Sequence, residues 1–273
     1  MAGYRLPGPV CGEQQPWSLL DGTLALWRLP APGPVCVASS VFRASAPLAV
    51  DAATDLSYLF RSCLNPARGI SDDAYAAAAA SLGVDVATIK AVADVETSGD
   101  AFDALGRPRI LFERHYFHRL TSGRFDLTHA RVSAKSAGGY GKFSAQYGKL
   151  EEAYALDADA ALRSASWGRF QIMGDNFIAA GFSSSHEFVK AMTQSEEAQL
   201  RAFVSFVRSR SAMAEALRKK NWAAFAKAYN GPGYAKNQYD TKLAAAYASF
   251  AAATASAPAV PKPAGKSATR GLP

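Results

Sequence analysis

Glu96 is the residue of this sequence whose type and position most favour chemistry. It follows Ile89, Val92 and Ala93 on the inward-facing stripe of a helix that we predict from Asp85 onward. The letters Thr-Ser-Gly come directly after the glutamate and predict the end of the helix. Glu96 should therefore lie in the last turn and face inward.

That position has a chemical consequence for the carboxyl group. Partial burial and the negative end of the helix dipole both disfavour a carboxylate, so we expect them to raise the pKa of Glu96. A carboxylic acid that stays protonated near neutral pH can donate its proton to a leaving oxygen, as the cleavage of a glycosidic bond requires. The alternative is a buried glutamate paired with an arginine such as Arg109. This stretch alone gives both interpretations equal weight.

Helical patterns dominate the chain from residue 70 onward. Ser71 and Asp72 cap an alanine-rich helix that ends before Gly83, and an extended piece at 109–112 leads into a helix at 113–120. Thr193 and Glu196 have the spacing of a capping box. We predict further helices over residues 146–156, 157–164, 167–180, 185–192, 195–210, 213–219, 222–229 and 235–250. The fold class should be mostly α with a minor β element.

The two ends of the chain have a different composition. Residues 1–65 are rich in Pro and Gly, and their apolar runs at 17–27 and 35–42 are either strands of a small wall-binding module or poorly ordered. Residues 253–273 cannot bury enough apolar surface to fold, so we predict a disordered basic tail carrying Lys262, Lys266 and Arg270. The globular domain then spans 70–252.

Composition and charge restrict the partners. The chain has 273 residues, is 49% hydrophobic and carries a formal net charge of +7, which suits an anionic partner. A basic run interleaved with aromatic residues does not occur, nor does a nucleic-acid-binding motif, so we expect no nucleic acid. We expect a monomer with electrostatic contact to anionic envelope surfaces.

The cysteines and histidines do not predict a metal site. Cys11, Cys36 and Cys63 are widely spaced without a CxxC motif, and reduced thiols are the expectation. His115 and His118 lack an HExxH pattern or a third ligand nearby. We expect no metal and no cofactor. The sequence also shows neither a signal peptide nor an apolar run long enough to span a bilayer.

Several motifs occur in a fixed order: VETSG at 95–99, ILFERHYFHRL at 110–120, SASWGRFQIMG at 164–174 and AYNGPGY at 228–234. Together they resemble the goose-type lysozyme and lytic transglycosylase superfamily. The region from about residue 71 to 250 resembles the N-acetylmuramidase domain of phage endolysins more closely. The resemblance implies a lysozyme-like, two-lobed helical domain.

The resemblance also implies roles for particular residues. Glu96 corresponds to the general acid, and six residues are expected to bind the substrate: Glu113, Ser166, Gly168, Gln171, Tyr229 and Asn230. Gly168 would let a sugar approach the backbone, and Gln171 would bond an N-acetyl group or a water, unless it is a helix-capping amide. Tyr229 and Asn230 would hold the acid or the glycan, or else form a plain turn.

A second carboxylate is less clearly indicated. Asp100, Asp103 and Glu113 are candidates because they lie close to Glu96 in sequence. For Glu113 a structural ion pair is slightly favoured over a catalytic role, so it is placed in the cleft and not assigned as a nucleophile.

The function implied by the resemblance is hydrolysis of peptidoglycan between N-acetylmuramic acid and N-acetylglucosamine, with lysis of a bacterial host. The protein would stay in the host cytoplasm until a separate pore-forming protein releases it to the wall. The alternatives are a lytic transglycosylase that leaves 1,6-anhydro ends and a non-catalytic wall-binding phage protein.

Overall fold

The computed structural model describes residues 24–28, 35–39, 55–96 and 100–255. The first two of these segments are strands β1 (Leu24–Arg28) and β2 (Val35–Ser39), which pair antiparallel with Leu24 opposite Ser39. Strand β1 overlaps the apolar run at 17–27, and β2 lies within the run at 35–42. Strands were one of the two alternatives expected for these runs. The wall-binding role of this region stays a prediction.

The remaining described residues form a mostly helical body. Its helices are α1 (Tyr58–Arg61), α2 (Asp72–Leu82), α3 (Val86–Glu96), α4 (Arg114–Leu120), α5 (Gln146–Leu156), α6 (Ala158–Arg163), α7 (Ser185–Met192), α8 (Glu196–Arg208), α9 (Ser211–Arg218), α10 (Trp222–Asn230) and α11 (Tyr239–Ala255). Strands β3 (Ile110–Phe112), β4 (Ala165–Trp167) and β5 (Ile172–Met173) form a small antiparallel sheet in the order β3-β4-β5. The predicted fold class, mostly α with a minor β element, is confirmed.

Helix α2 begins and ends where the sequence predicts. The Ser71 hydroxyl accepts a hydrogen bond from the backbone N–H of Ala74 at 3.2 Å, which satisfies one of the free donors of the first turn. Gly83 ends the helix in the left-handed region at φ 68°.

Helix α3 is the element that carries Glu96. The Asp85 carboxylate accepts hydrogen bonds from the backbone N–H of Thr88 at 2.8 Å and from its hydroxyl at 2.6 Å, so the predicted N-cap is confirmed. Ile89 and Val92 are fully buried. Glu96 is the last residue of the helix, as expected, and its side chain lies outside the described part of the structure.

The segment predicted as a helix over 167–180 is instead a tight β-hairpin, so that prediction is wrong. Trp167 pairs with Ile172 across it. Gly168 and Gln171 have φ values of 69° and 46°, in the left-handed region that an α-helix excludes. The hairpin is followed by a short 3-10 turn at Gly174–Asn176.

Helix α8 lies in the middle of the core. The spacing of Leu200, Phe203, Val204 and Val207 predicts a buried apolar stripe. Leu200, Phe203 and Val207 are buried, as predicted, and Val204 is partly buried against the core. The Phe203 ring stacks on Phe170 of the hairpin with centroids 4.7 Å apart. Beneath the hairpin the buried indole N–H of Trp167 donates to the carbonyl of Leu162 at 2.9 Å, which anchors the sheet to α6.

The predicted capping box at the start of α8 is wrong. Ser195 is the N-cap, and its hydroxyl accepts from the backbone N–H of Ala198 at 3.0 Å. The Thr193 hydroxyl donates instead to the carbonyl of Lys190 at 2.7 Å. The Glu196 carboxylate does not cap the helix, because it pairs with Arg169 of the hairpin.

The last helix begins later than predicted. Residues Pro232–Asn237 form a 3-10 turn after α10, and α11 then packs against α3 and α10. The predicted disordered tail at 253–273 begins too early, because residues 253–255 belong to α11. The rest of it, with Lys262, Lys266 and Arg270, lies outside the described residues.

Cys63 corrects the expectation of reduced thiols, because it is disulfide-bonded. The spacing of cysteines along a chain does not reveal which sulfur atoms the fold brings together.

None of the helices in the described segments is by itself long and apolar enough to cross a membrane. The two helical segments Asp72–Leu82 and Val86–Val95, which meet at an angle of 106°, are together long and apolar enough to cross one, judged by length and composition alone. These are the helices whose residues Ala79, Ile89 and Val92 are buried in the core.

We predict that the Asp85 cap makes stability depend on pH. Burial disfavours its carboxylate, but hydrogen bonds from Thr88, Lys220 and Tyr247 outweigh burial and lower the pKa of Asp85. The folded state then binds fewer protons than the unfolded chain, so this stabilisation is present above the unfolded Asp value of about 4 and is lost as pH falls through the lower folded pKa.

Asp85→Asn, which can still cap the helix, should therefore cost at most about 1 kcal/mol at pH 7 and progressively less near pH 3. Urea unfolding at both pH values measures the difference. The control is Asp94→Asn, an exposed position on the same helix. A loss that is equal at the two pH values would contradict the charge argument.

Candidate active site

A cavity of about 330 Å³ opens between the small sheet, the end of α10 and the start of α11. Four of the predicted substrate-binding residues line it: Ser166, Gly168, Gln171 and Asn230. Its charged wall consists of Asp100, Arg109 and Arg169. The fold thus brings residues from distant parts of the sequence to one concave surface, which is where a ligand site is expected.

Gly168 occupies a position that no other residue type fits. A Cβ atom built on it would lie 2.5 Å from the side-chain amide carbon of Gln199. Its backbone N–H donates to the carbonyl of Arg109 at 2.8 Å. The missing Cβ therefore makes room for a buried amide. That it also lets a sugar approach the backbone stays a prediction.

The Gln171 side chain closes the same hairpin. Its amide oxygen accepts from the Ser166 hydroxyl at 2.8 Å, and its NH₂ group donates to the carbonyls of Gly168 at 2.8 Å and Arg109 at 3.3 Å. Gln171 is thus neither in a helix nor a helix cap. These hydrogen bonds stabilise the cavity wall. The Gln171 side chain is partly exposed, and a ligand can contact it only through that exposed surface.

Arg169 connects this wall to the helix of Glu96. Its guanidinium donates to the Glu196 carboxylate at 2.7 Å and to the carbonyl of Ala93 at 3.3 Å. Ala93 lies one turn before Glu96 on α3. The cavity wall and the end of α3 are therefore held together by one side chain.

Tyr229 does not line the cavity. Its phenol donates to the carbonyl of Phe170 at 2.6 Å, and its ring stacks on Phe225 with centroids 5.5 Å apart. Because Phe170 lies within the hairpin turn, Tyr229 braces the turn from the core side. Its neighbour Asn230 ends α10 and does reach the cavity.

Glu113 also lies away from this cavity, at the start of α4. Its Oε2 atom is 3.1 Å from Nδ1 of His115, close enough for an ion pair if the histidine is protonated but misaligned for a hydrogen bond. Burial and the neighbouring Glu113 charge raise the pKa of the Tyr140 phenol. Glu113 therefore belongs to a separate polar cluster at the end of β3.

The glycine-rich segment beside that cluster is held by α5. The buried Lys149 ammonium donates to the carbonyls of Gly139 and Tyr140, and the Gln146 amide donates to Tyr140 and Lys142 at 2.7 and 3.2 Å. Burial lowers the pKa of Lys149. These bonds anchor the Gly-Gly-Tyr-Gly segment at 138–141, whose glycines predict a flexible rim of the cleft.

The three candidates for a second carboxylate differ in placement. Asp100 lines the cavity and is exposed. Asp103 forms an ion pair with Arg107 at 2.7 Å and also accepts two backbone hydrogen bonds. Asp100 is therefore the candidate that faces the same space as Ser166 and Asn230.

Apart from Asp100, six cavity residues were not among the predicted site residues: Arg109, Ile110, Leu111, Phe143, Arg169 and Tyr239. Arg169 lies within one of the quoted motifs and Arg109 directly precedes another, so two arginines at motifs of a carbohydrate site are a usable signal. Phe143 and Tyr239 carry no such signal, because only the fold brings them to the cavity. The described residues contain no cluster of His, Cys, Asp or Glu that could hold a metal ion.

The small antiparallel sheet, the helical body and a cavity whose wall is linked to α3 by Arg169 are the features that define the class of protein. The chain belongs to the N-acetylmuramidase family, whose sequence model matches residues 85–251. This family membership implies a glycoside hydrolase that acts on peptidoglycan, and the predicted resemblance is confirmed.

A particular solved structure is similar to this chain: the crystal structure of the Burkholderia AP3 phage endolysin. The sequences are 40% identical, the match covers 68% of this chain and 72% of that chain, and the TM-score is 0.64. A comparison with curated proteins found no match.

The fit of Gly168 against Gln199 predicts a coupled effect on stability. Gly168→Ala should cost about 3 kcal/mol, because it adds a clash to a left-handed backbone. Gln199→Ala should also destabilise, since it removes a bond of 2.6 Å from the backbone N–H of Arg169. In the double variant the clash is absent, so the total loss should be smaller than the sum by about 1 kcal/mol or more.

Urea unfolding of the two single variants and the double variant measures this coupling. Gly141→Ala is the matched control, because Gly141 is also left-handed at φ 67° and a Cβ there meets nothing within 4 Å. Strict additivity of the two losses would show that the close approach of Gln199 is not what requires glycine.

Proposed function

We propose that this protein is a phage endolysin that hydrolyses the β-1,4 bond between N-acetylmuramic acid and N-acetylglucosamine, with Glu96 as the general acid. The observation that carries the proposal is the Arg169 link. One face of this residue lines the cavity while its guanidinium bonds the carbonyl of Ala93, in the final turns of the helix that ends at Glu96. The matching endolysin structure supports the biological setting.

In the proposed reaction, Glu96 transfers its proton to the glycosidic oxygen as the bond to the anomeric carbon breaks. The sugar passes through an oxocarbenium-like state, and a water molecule adds to the anomeric carbon. The proton lost by that water returns to a carboxylate. One molecule of water is consumed, and two chain ends are formed.

Asp100 is our candidate for steering the water. It is exposed on the cavity wall that also carries Ser166 and Asn230, and it follows Glu96 by only four positions. A carboxylate near the anomeric carbon would also stabilise the positive charge that develops there.

The other site residues divide into two kinds in this proposal. Ser166, Gly168, Gln171 and Asn230 form the surface on which the glycan lies. Tyr229 acts indirectly by bracing the hairpin. Glu113 stays a proposed substrate contact at the margin of the cleft, on the other side of the glycine-rich segment.

The cellular role follows from the same proposal. The protein would remain in the host cytoplasm until a separate pore-forming protein lets it reach the wall. Residues 70–252 would be the catalytic domain, residues 1–65 would assist targeting, and the basic tail after α11 would add electrostatic contact with anionic envelope surfaces. We propose a monomer, without a nucleic-acid partner or a cofactor.

Glu96→Gln should abolish the loss of turbidity of a peptidoglycan suspension, by at least about a hundredfold in rate, because an amide cannot donate the proton. Far-ultraviolet circular dichroism should be unchanged. The control is Glu151→Gln, at an exposed position on α5, which should keep full activity. Substantial residual lysis by Glu96→Gln would disprove its role as the acid.

The products decide between hydrolysis and its nearest alternative. Mass spectrometry of fragments released from purified peptidoglycan should find reducing N-acetylmuramic acid ends. Fragments lighter by one water would instead identify a lytic transglycosylase. Binding without release of soluble fragments would identify a wall-binding protein.

A further inference from the structure

A second cavity of about 250 Å³ lies directly beside the first. The two cavities share Ile110 and Phe143 as lining residues. The rest of the second cavity is formed by the turn around Asp103–Arg107 and by the start of α5. A ligand in the first cavity is therefore one side chain away from the second.

Phe143 is the boundary between the two spaces. It is 49% exposed, unusually open for a large apolar side chain. The guanidinium of Arg109 lies 4.6 Å from the centre of its ring, and Arg109 lines the first cavity but not the second. The arginine thus supports the ring from the side of the first cavity.

The acidic group of the second cavity is already hydrogen-bonded within the protein. Asp103 accepts from the backbone N–H groups of Leu105 and Arg107, both at 2.9 Å, and from Nε of Arg107 at 2.8 Å. The Arg107 guanidinium in turn packs on the Tyr147 ring, 3.8 Å from its centre. This turn therefore presents a neutralised ion pair.

Two of the other polar side chains that line this cavity, Tyr147 and Gln146, are also hydrogen-bonded within the protein. The Tyr147 phenol donates to the carbonyl of Pro108 at 2.7 Å. The Gln146 amide accepts from the backbone N–H of Phe112 at 3.0 Å and donates to Tyr140 and Lys142. A sugar ring carries several hydroxyls that need partners when they are buried, and this cavity offers few.

What the second cavity does present is small and apolar. Ala104, Leu105, Ile110 and Phe143 are the lining residues without polar side-chain atoms. Such a surface fits methyl groups. In peptidoglycan, methyl groups occur in the lactyl ether of muramic acid and in the alanine residues of the short peptide attached to it.

We propose that the second cavity binds the alanine-containing stem peptide of the muramic acid residue held in the first cavity. This inference rests on the proposed muramidase function and deepens it. The glycan lies against the hairpin wall, and its peptide branch passes over Phe143 so that the lactyl and alanine methyls contact Leu105 and Ala104. The enzyme therefore prefers peptide-bearing strands to bare glycan.

The test compares two substrates with one filling variant. The substrates are purified peptidoglycan with its stem peptides and the same glycan strands after an amidase has removed them. Ala104 is exposed, so Ala104→Trp fills the cavity from the solvent side without displacing core residues. Ala80→Trp, at an exposed position on α2, is the matched control.

On stem-bearing peptidoglycan, Ala104→Trp should lower kcat/KM about tenfold, mostly through KM, which corresponds to the loss of one or two buried methyl groups. On stripped glycan it should match the wild type. Ser144→Trp fills the same cavity from the other side and should repeat this pattern. Ala80→Trp should leave both rates unchanged.

Two outcomes would overturn the inference while the proposed function stands. An equal loss on both substrates would mean that the cavity binds sugar or that the variants disturb the cleft. Unchanged rates on both substrates would mean that the cavity is not used. If the wild type cleaves neither substrate, the proposed function fails and this inference fails with it.

Discussion

The ion pair between Arg169 and Glu196 is the interaction on which the rest of the site depends. The guanidinium lies 2.5 to 2.7 Å from one carboxylate oxygen, and the Glu196 side chain is only 7% exposed. The same arginine reaches the carbonyl of Ala93 on α3, and the other oxygen of Glu196 accepts from the backbone N–H of Gly69 at 3.1 Å. Loss of the Arg169 charge would leave the buried Glu196 carboxylate without its ion-pair partner, which typically costs several kcal/mol. One pair therefore connects α3, the β-hairpin, α8 and the segment before α2.

The hairpin that carries Arg169 has little freedom to move. Its turn is fixed by the Gln171 amide within, by the buried Gln199 amide against Gly168, and by the Tyr229 phenol from the core. A catalytic surface benefits from such fixed polar groups, because they need not reorganise during the reaction. Several residues that resemble ligand contacts in sequence thus contribute by shaping the wall that a glycan would meet.

The arrangement also explains how a small cavity could serve a polymer. The cavity that contains Asp100, Arg109 and Arg169 is polar and charged, whereas most polar side chains of the cavity beyond Phe143 are hydrogen-bonded within the protein. Peptidoglycan has the same division between a hydroxyl-rich glycan and methyl-bearing branches. In our proposal, the two neighbouring surfaces bind those two parts of one substrate.

The sequence by itself determined the features that depend on neighbouring residues. The Ser71 and Asp85 caps and the buried stripe of α8 were predicted correctly because hydrogen bonds and periodicity within one segment decide them. The helix predicted over 167–180 was wrong because Gly168 and Gln171 adopt left-handed conformations that are held by partners far away in the chain. The direction of a side chain, the pairing of Cys63 and the shape of both cavities are likewise set by contacts between distant segments, which only the tertiary structure decides.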